Sequence, residues 1–123
     1  MRPDASDTPT PDSPPALETS VTVEIENHHV VVFVRGQIDA DTCDQLRLAL
    51  DEAVRLGGRI TVDFSGTTFT DSSGLQVLLA AYRELGQLHE AMALRGVNGH
   101  VARLLEITGT DKLFMIRPNV AAG

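Results

Sequence analysis

The run Asp71-Ser72-Ser73-Gly74 sets a carboxylate, two hydroxyls and a residue without a side chain side by side. It precedes Leu75, Leu78, Leu79 and Tyr82, whose helical spacing puts the run at a helix start, where four backbone N–H groups lack intrahelical partners. Two uses of the oxygens are open. In one, Asp71 or Ser72 only caps the helix. In the other, a serine accepts a phosphate, which lies against free N–H groups and the positive end of the helix dipole, with Gly74 leaving the backbone accessible. That phosphate adds about 1.5 to 2 negative charges beside Asp71, enough to weaken a partner docked there through apolar or acidic contacts.

Other chemistries find less support. Ser72 has Gly74 two residues on but Thr70 two residues before, so only half of a hydrolase nucleophile elbow is present. His28 and His29 share a turn, His89 and His100 stand apart, and none pair at helical ligand spacing, so no metal site is expected. No phosphate-cradling glycine loop marks a nucleotide site. Cys43, the single cysteine, excludes an intrachain disulfide; it reads as a small packing residue, with a thiol activated by a helix start as the alternative. Asp39 either ends a strand and helps cap the next helix or takes part in a site.

The elements that must hold these residues follow from periodicity. Val21, Val23 and Ile25 alternate with Thr22, Glu24 and Glu26 as a strand with one wet face. A turn over Asn27 to His29 leads to the apolar run Val30 to Val34, and together they read as a hairpin. Leu46, Ala49, Leu50, Ala53 and Val54 form a helical stripe, with Thr42 and Gln45 as a capping box and Gly57-Gly58 as its stop. Ile60, Val62 and Phe64 mark a third strand, followed by a loop over Ser65 to Thr70 and the helix beginning at the Ser72 run. Met92 and Leu94 mark a fourth strand. Asn98 caps a third helix that Gly109 stops, and Leu113 to Ile116 is a last short strand. Strands alternating with helices require crossovers, so the expected class is α/β with a mixed, mostly parallel sheet of four to five strands packed by three or more helices.

Composition sets the bounds. The 123 residues suffice for one domain. Residues 1–16 hold five prolines among Asp, Ser and Thr and read as a disordered tail, leaving 17–123 as the domain. The net charge of −7 disfavours nucleic acid as a partner. The longest apolar run, Val77 to Tyr82, is far short of the ~20 residues a membrane span needs, and no leader-like segment opens the chain; a cytoplasmic location without membrane insertion is expected.

Several motifs together resemble the STAS family of anti-sigma factor antagonists: Gly36-Gln37-Ile38-Asp39, Thr42 to Arg47, Val62-Asp63-Phe64-Ser65, Thr70 to Leu75, and Leu104 to Gly109 followed by Leu113-Phe114. The likeness runs over about residues 18 to 117, and its specificity lies in the order and spacing of motifs that are weak singly. It implies a single STAS domain and a non-enzymatic, bacterial partner-switching regulator. Unphosphorylated, such a protein binds an anti-sigma factor that is itself a serine kinase, releasing a sigma factor; phosphorylation inactivates it and a phosphoserine phosphatase resets it. The phosphoacceptor position falls on Ser72, and Asp39, Asp71, Ser72, Ser73 and Gly74 fall on the partner-binding face. No cofactor and no small-molecule substrate of its own are implied. The alternative is a STAS scaffold in a larger stress-signalling or lipid-transport assembly, without regulated phosphorylation. The chain departs from many relatives in having only Arg117 to Gly123 after the last strand, too few residues for a further stable helix, so one side of the sheet is expected to be less covered.

Overall fold

A computed structural model describes residues 19–86 and 91–117. The expected tail over 1–16 and the segment after Arg117 lie outside the described residues. The strands are β1 (Ser20–Glu26), β2 (His29–Ile38), β3 (Ile60–Thr70), β4 (Met92–Arg95) and β5 (Met115–Ile116); the helices are α1 (Cys43–Leu56), α2 (Ser72–Glu84) and α3 (Gly99–Thr108). A short 3-10 turn, Thr110–Lys112, precedes β5. The sheet order is β1-β2-β3-β4-β5, with β1 antiparallel to β2 and every other pairing parallel. The expected α/β architecture with an N-terminal hairpin is the one observed.

The hairpin turn is tighter than the sequence suggests. Only Asn27 and His28 form it, both with positive φ (48° and 69°), and His29 already pairs with Glu26. Left-handed conformations at both central residues match the right-handed twist of the flanking strands, and Asn tolerates them.

Strands β2 to β5 lie side by side in chain order, and right-handed crossovers stepping one way across a sheet put every connecting helix on the same face. The packing agrees. Val30, Val32, Val34 and Ile38 of β2, Ile60, Val62 and Phe64 of β3, and Met92 and Leu94 of β4 form one buried cluster. It also takes in Leu46, Leu50 and Ala53 of α1, Leu75 and Leu78 of α2, Val101 and Leu105 of α3, and Phe114. The opposite face carries a polar network instead: Asp63 Oδ2 accepts from Arg95 Nε at 2.6 Å, its Oδ1 accepts from the Ser65 hydroxyl at 2.6 Å, and Arg95 reaches Glu26 at 3.4 Å.

The segment Ser65 to Thr70, expected as a loop, is the second half of β3 and pairs with β2 out to Ile38↔Thr70. Between Phe33↔Asp63 and Arg35↔Gly66, and again between Gly36↔Thr67 and Gln37↔Phe69, β3 carries one residue more than β2. Two bulges break the strict alternation, so the segment's polar residues hide a strand from a period-two reading. Buried Thr67 is held inside by its hydroxyl, which donates to the Val34 carbonyl at 3.0 Å.

Candidate functional site

Helix α2 begins where the sequence places it, and a carboxylate, not a serine hydroxyl, takes its cap. Asp71 is the N-cap in extended conformation, and its Oδ1 accepts from the Ser73 N–H at 2.8 Å. Ser72 is therefore spared that duty. It occupies the first helical position, it is exposed, and its hydroxyl makes no hydrogen bond among the described residues. Ser73 is half-buried. The two adjacent serines thus differ in what can reach them, and the α2 N-terminus lends its positive dipole end to whatever charge Ser72 acquires.

Asp39 sits beside this helix start. The Asp71 N–H donates to the Ile38 carbonyl at 3.2 Å, so Asp39 and Ser72 each follow one end of the same hydrogen bond. Asp39 Oδ1 accepts from the N–H groups of Asp41 (2.9 Å) and Thr42 (3.1 Å), tying the turn into α1. The Thr42-Gln45 capping box does not form. Thr42 is the N-cap residue of α1, but its hydroxyl points back, accepting from the Asp39 N–H at 2.9 Å and lying 3.0 Å from the Gln37 carbonyl it can donate to. A carboxylate already holding this turn leaves the threonine for the strand end. Cys43 starts α1 half-buried against the core, with Sγ 3.6 Å from the Ala40 carbonyl.

Gly74 has a different role from the one its sequence suggests. It is buried, and a Cβ built on it would lie 2.4 Å from Thr70 Oγ1 and 2.8 Å from Ile38 Cγ2. The missing side chain lets α2 sit down on the ends of β2 and β3. It opens no surface to a partner, so of the five expected docking residues Gly74 lies beneath the face that Asp39, Asp71, Ser72 and Ser73 present.

Sequence reasoning missed the flank of the site. Phe69 at the end of β3 stacks on His100 of α3, ring centroids 4.7 Å apart and tilted by 38°. Asn98 caps α3 by accepting from the Val101 N–H at 3.1 Å, and its amide donates to the Thr67 carbonyl at 2.7 Å. The α3 start is thereby bound to the bulged part of β3 that delivers Ser72. The signal was Phe69 itself, an aromatic in a segment otherwise read as loop.

The Asp63-Arg95 pair lies on the reverse face. Burial pushes the Asp63 carboxyl up, but the Ser65 hydroxyl, Arg95 and the Ser65 N–H together outweigh it and hold the group below its ordinary value. The hydrogen bond to Asp63 raises Arg95 against its own desolvation. An open hollow of about 410 Å³ on this face, walled by Phe33, Arg35 and Asp63 among others, includes none of the expected site residues. No group of three or more His, Cys, Asp or Glu among the described residues could hold a metal ion. No helix among them is long and apolar enough to cross a membrane.

A five-stranded, mostly parallel sheet with one helical face and an exposed serine at the second helix start defines a STAS-type domain. The family model described as "Mlab, STAS domain" matches residues 21–117, and the chain belongs to that family. Among relatives, it is 36% identical over 104 residues to an anti-sigma F factor antagonist of Paenibacillus polymyxa, covering 81% of this chain and 89% of the relative. It is 31% identical over 102 residues to an anti-sigma-B factor antagonist of Listeria monocytogenes, covering 80% and 90%. The crystal structure of an anti-sigma factor antagonist from Mycobacterium paratuberculosis superposes with a TM-score of 0.76 at 28% identity, over 85% of this chain and 90% of that one.

Proposed function

We propose that this protein is an anti-sigma factor antagonist whose docking face surrounds the start of α2 and whose binding is switched off by phosphorylation of Ser72. Unphosphorylated, it binds an anti-sigma factor that is a serine kinase and so releases a sigma factor; the kinase supplies ATP, and a phosphoserine phosphatase reverses the modification. The chain's part is that of a regulatory, non-enzymatic acceptor.

The observation that carries this reading is the division of labour at the helix start. Asp71 satisfies the cap, so Ser72 is exposed with an uncommitted hydroxyl. A phosphate can be added there without breaking a bond that holds the fold. It places about 1.5 to 2 negative charges beside Asp71 and Asp39, where a partner's acidic or apolar surface is repelled or left poorly desolvated. The helix dipole offsets part of that charge within the domain, so the switch acts on docking and not on folding.

The test is phosphosite mapping of the protein from its host, alongside the purified chain incubated with the host's anti-sigma kinase and ATP. One phosphate at Ser72 supports the reading, as does loss of the modification in Ser72→Ala. Modification at Ser73 or Thr70 overturns the assignment. Complete absence of modification, with a stable complex to other proteins, favours a scaffold in a larger assembly.

A further inference from the structure

Strand β1 is an edge of the sheet, paired among the described residues with β2 alone. In a hairpin closed by the two-residue turn Asn27-His28, the closing pair Glu26↔His29 is hydrogen-bonded, and such pairs alternate along the ladder through Glu24↔Val31, Thr22↔Phe33 and Ser20↔Arg35. The backbone groups of Val21, Val23 and Ile25 therefore point away from β2, along the open edge. Ile25 is also 66% exposed, an apolar side chain left standing at that edge.

We infer that this edge pairs antiparallel with the same edge of a second copy, across a two-fold axis at Val23. The sequence of β1 is self-complementary about that point. Val23 faces Val23, Val21 faces Ile25, Thr22 faces Glu24, and Ser20 faces Glu26, so all seven residues pair, apolar with apolar and hydroxyl with carboxylate. Each facing pair also has its free backbone groups in phase, because Val21, Val23 and Ile25 are the outward residues. Neighbouring registers fail: an axis at Glu24 sets two carboxylates opposite each other, and an axis at Thr22 sets Ile25 against Thr19.

Charge adds to the choice. Arg35 is exposed and makes no ion pair among the described residues. It lies in the row of Ser20, and in the paired sheet the next residue along that row is Glu26 of the second copy. Such a contact is isologous and closes as a dimer. Strand β2 separates β1 from β3, which delivers Ser72, so the interface leaves both helix starts uncovered and the particle carries two docking faces.

Sedimentation of the full chain over a range of concentrations tests this with two substitutions at exposed Thr22, which faces Glu24 of the second copy. The wild type rises from 13.2 kDa toward twice that mass. Thr22→Glu faces two pairs of carboxylates and weakens the dimer by about tenfold or more, whereas Thr22→Lys strengthens it. Thermal melts of both variants check that the monomer is intact. A mass of 13.2 kDa at every concentration overturns the inference, as does a dimer indifferent to Thr22→Glu or weakened equally by Thr22→Lys.

Discussion

Replacing Gly74 by alanine sets two physical effects against each other. Helix propensity alone favours alanine over glycine by about 1 kcal/mol, though the first turn realises only part of it. Against this, the new Cβ lands 2.4 Å from Thr70 Oγ1 and 2.8 Å from Ile38 Cγ2. Thr70 is 6% exposed and Ile38 fully buried, so neither can swing into solvent and the start of α2 must lift. Overpacking of this kind costs about 1 to 3 kcal/mol, which leaves a net loss of about 1 to 2 kcal/mol. For a domain of roughly 100 residues that lowers Tm by about 4 to 15 °C. Gly99→Ala is the matched control. It lies at the start of α3 with nothing within 4 Å of the place its new Cβ would take, so the same exchange there is neutral or slightly stabilising. Urea and thermal unfolding of the two variants decide the matter. A Gly74→Ala protein as stable as the wild type would refute the close-approach account of this glycine.

Two further substitutions probe the frame around the site. Asp71→Ala removes the acceptor of the Ser73 N–H and costs about 1 kcal/mol, with faster amide exchange in the first turn of α2 as its local signature. Asp63→Asn removes the carboxylate that Arg95, the Ser65 hydroxyl and the Ser65 N–H address, and costs about 2 kcal/mol at neutral pH. Because the folded-state pKa of Asp63 lies below its ordinary value of 3.8, its contribution is present above that value and is lost as pH falls through the lower one. The gap between wild type and Asp63→Asn in chemical unfolding should therefore be widest at neutral pH and narrow below about pH 4; a gap that grows on acidification contradicts the assignment.

What the sequence makes legible follows its periodicities. The stripe Leu46, Ala49, Leu50 and Ala53, the alternation around Val62, and Asn98 with Gly109 bracketing α3 are local signals that tertiary packing reinforces, and each element forms where they say. The second half of β3 is not legible. Its two bulges cancel the alternation, and Thr67 and Thr70 are buried polar residues. Gly74 was misleading for a related reason: a glycine needed for close approach looks the same in sequence as one that exposes backbone. At the site, an acidic residue and two serines at a helix start could be read, but which of them caps could not. That depends on Asp71 adopting an extended conformation after its N–H is fixed to the Ile38 carbonyl, a contact 33 residues away in the chain. The Phe69-His100 stack likewise joins two elements whose adjacency only the sheet order reveals.

Titration calorimetry of the chain against its host's anti-sigma kinase, run without ATP, bears most directly on the role given to Ser72. Wild type and Ser72→Ala should bind alike, and Ser72→Glu should bind at least tenfold more weakly while melting at the same temperature. Equal binding by all three proteins would contradict the account, since a negative charge at that position would then leave docking untouched.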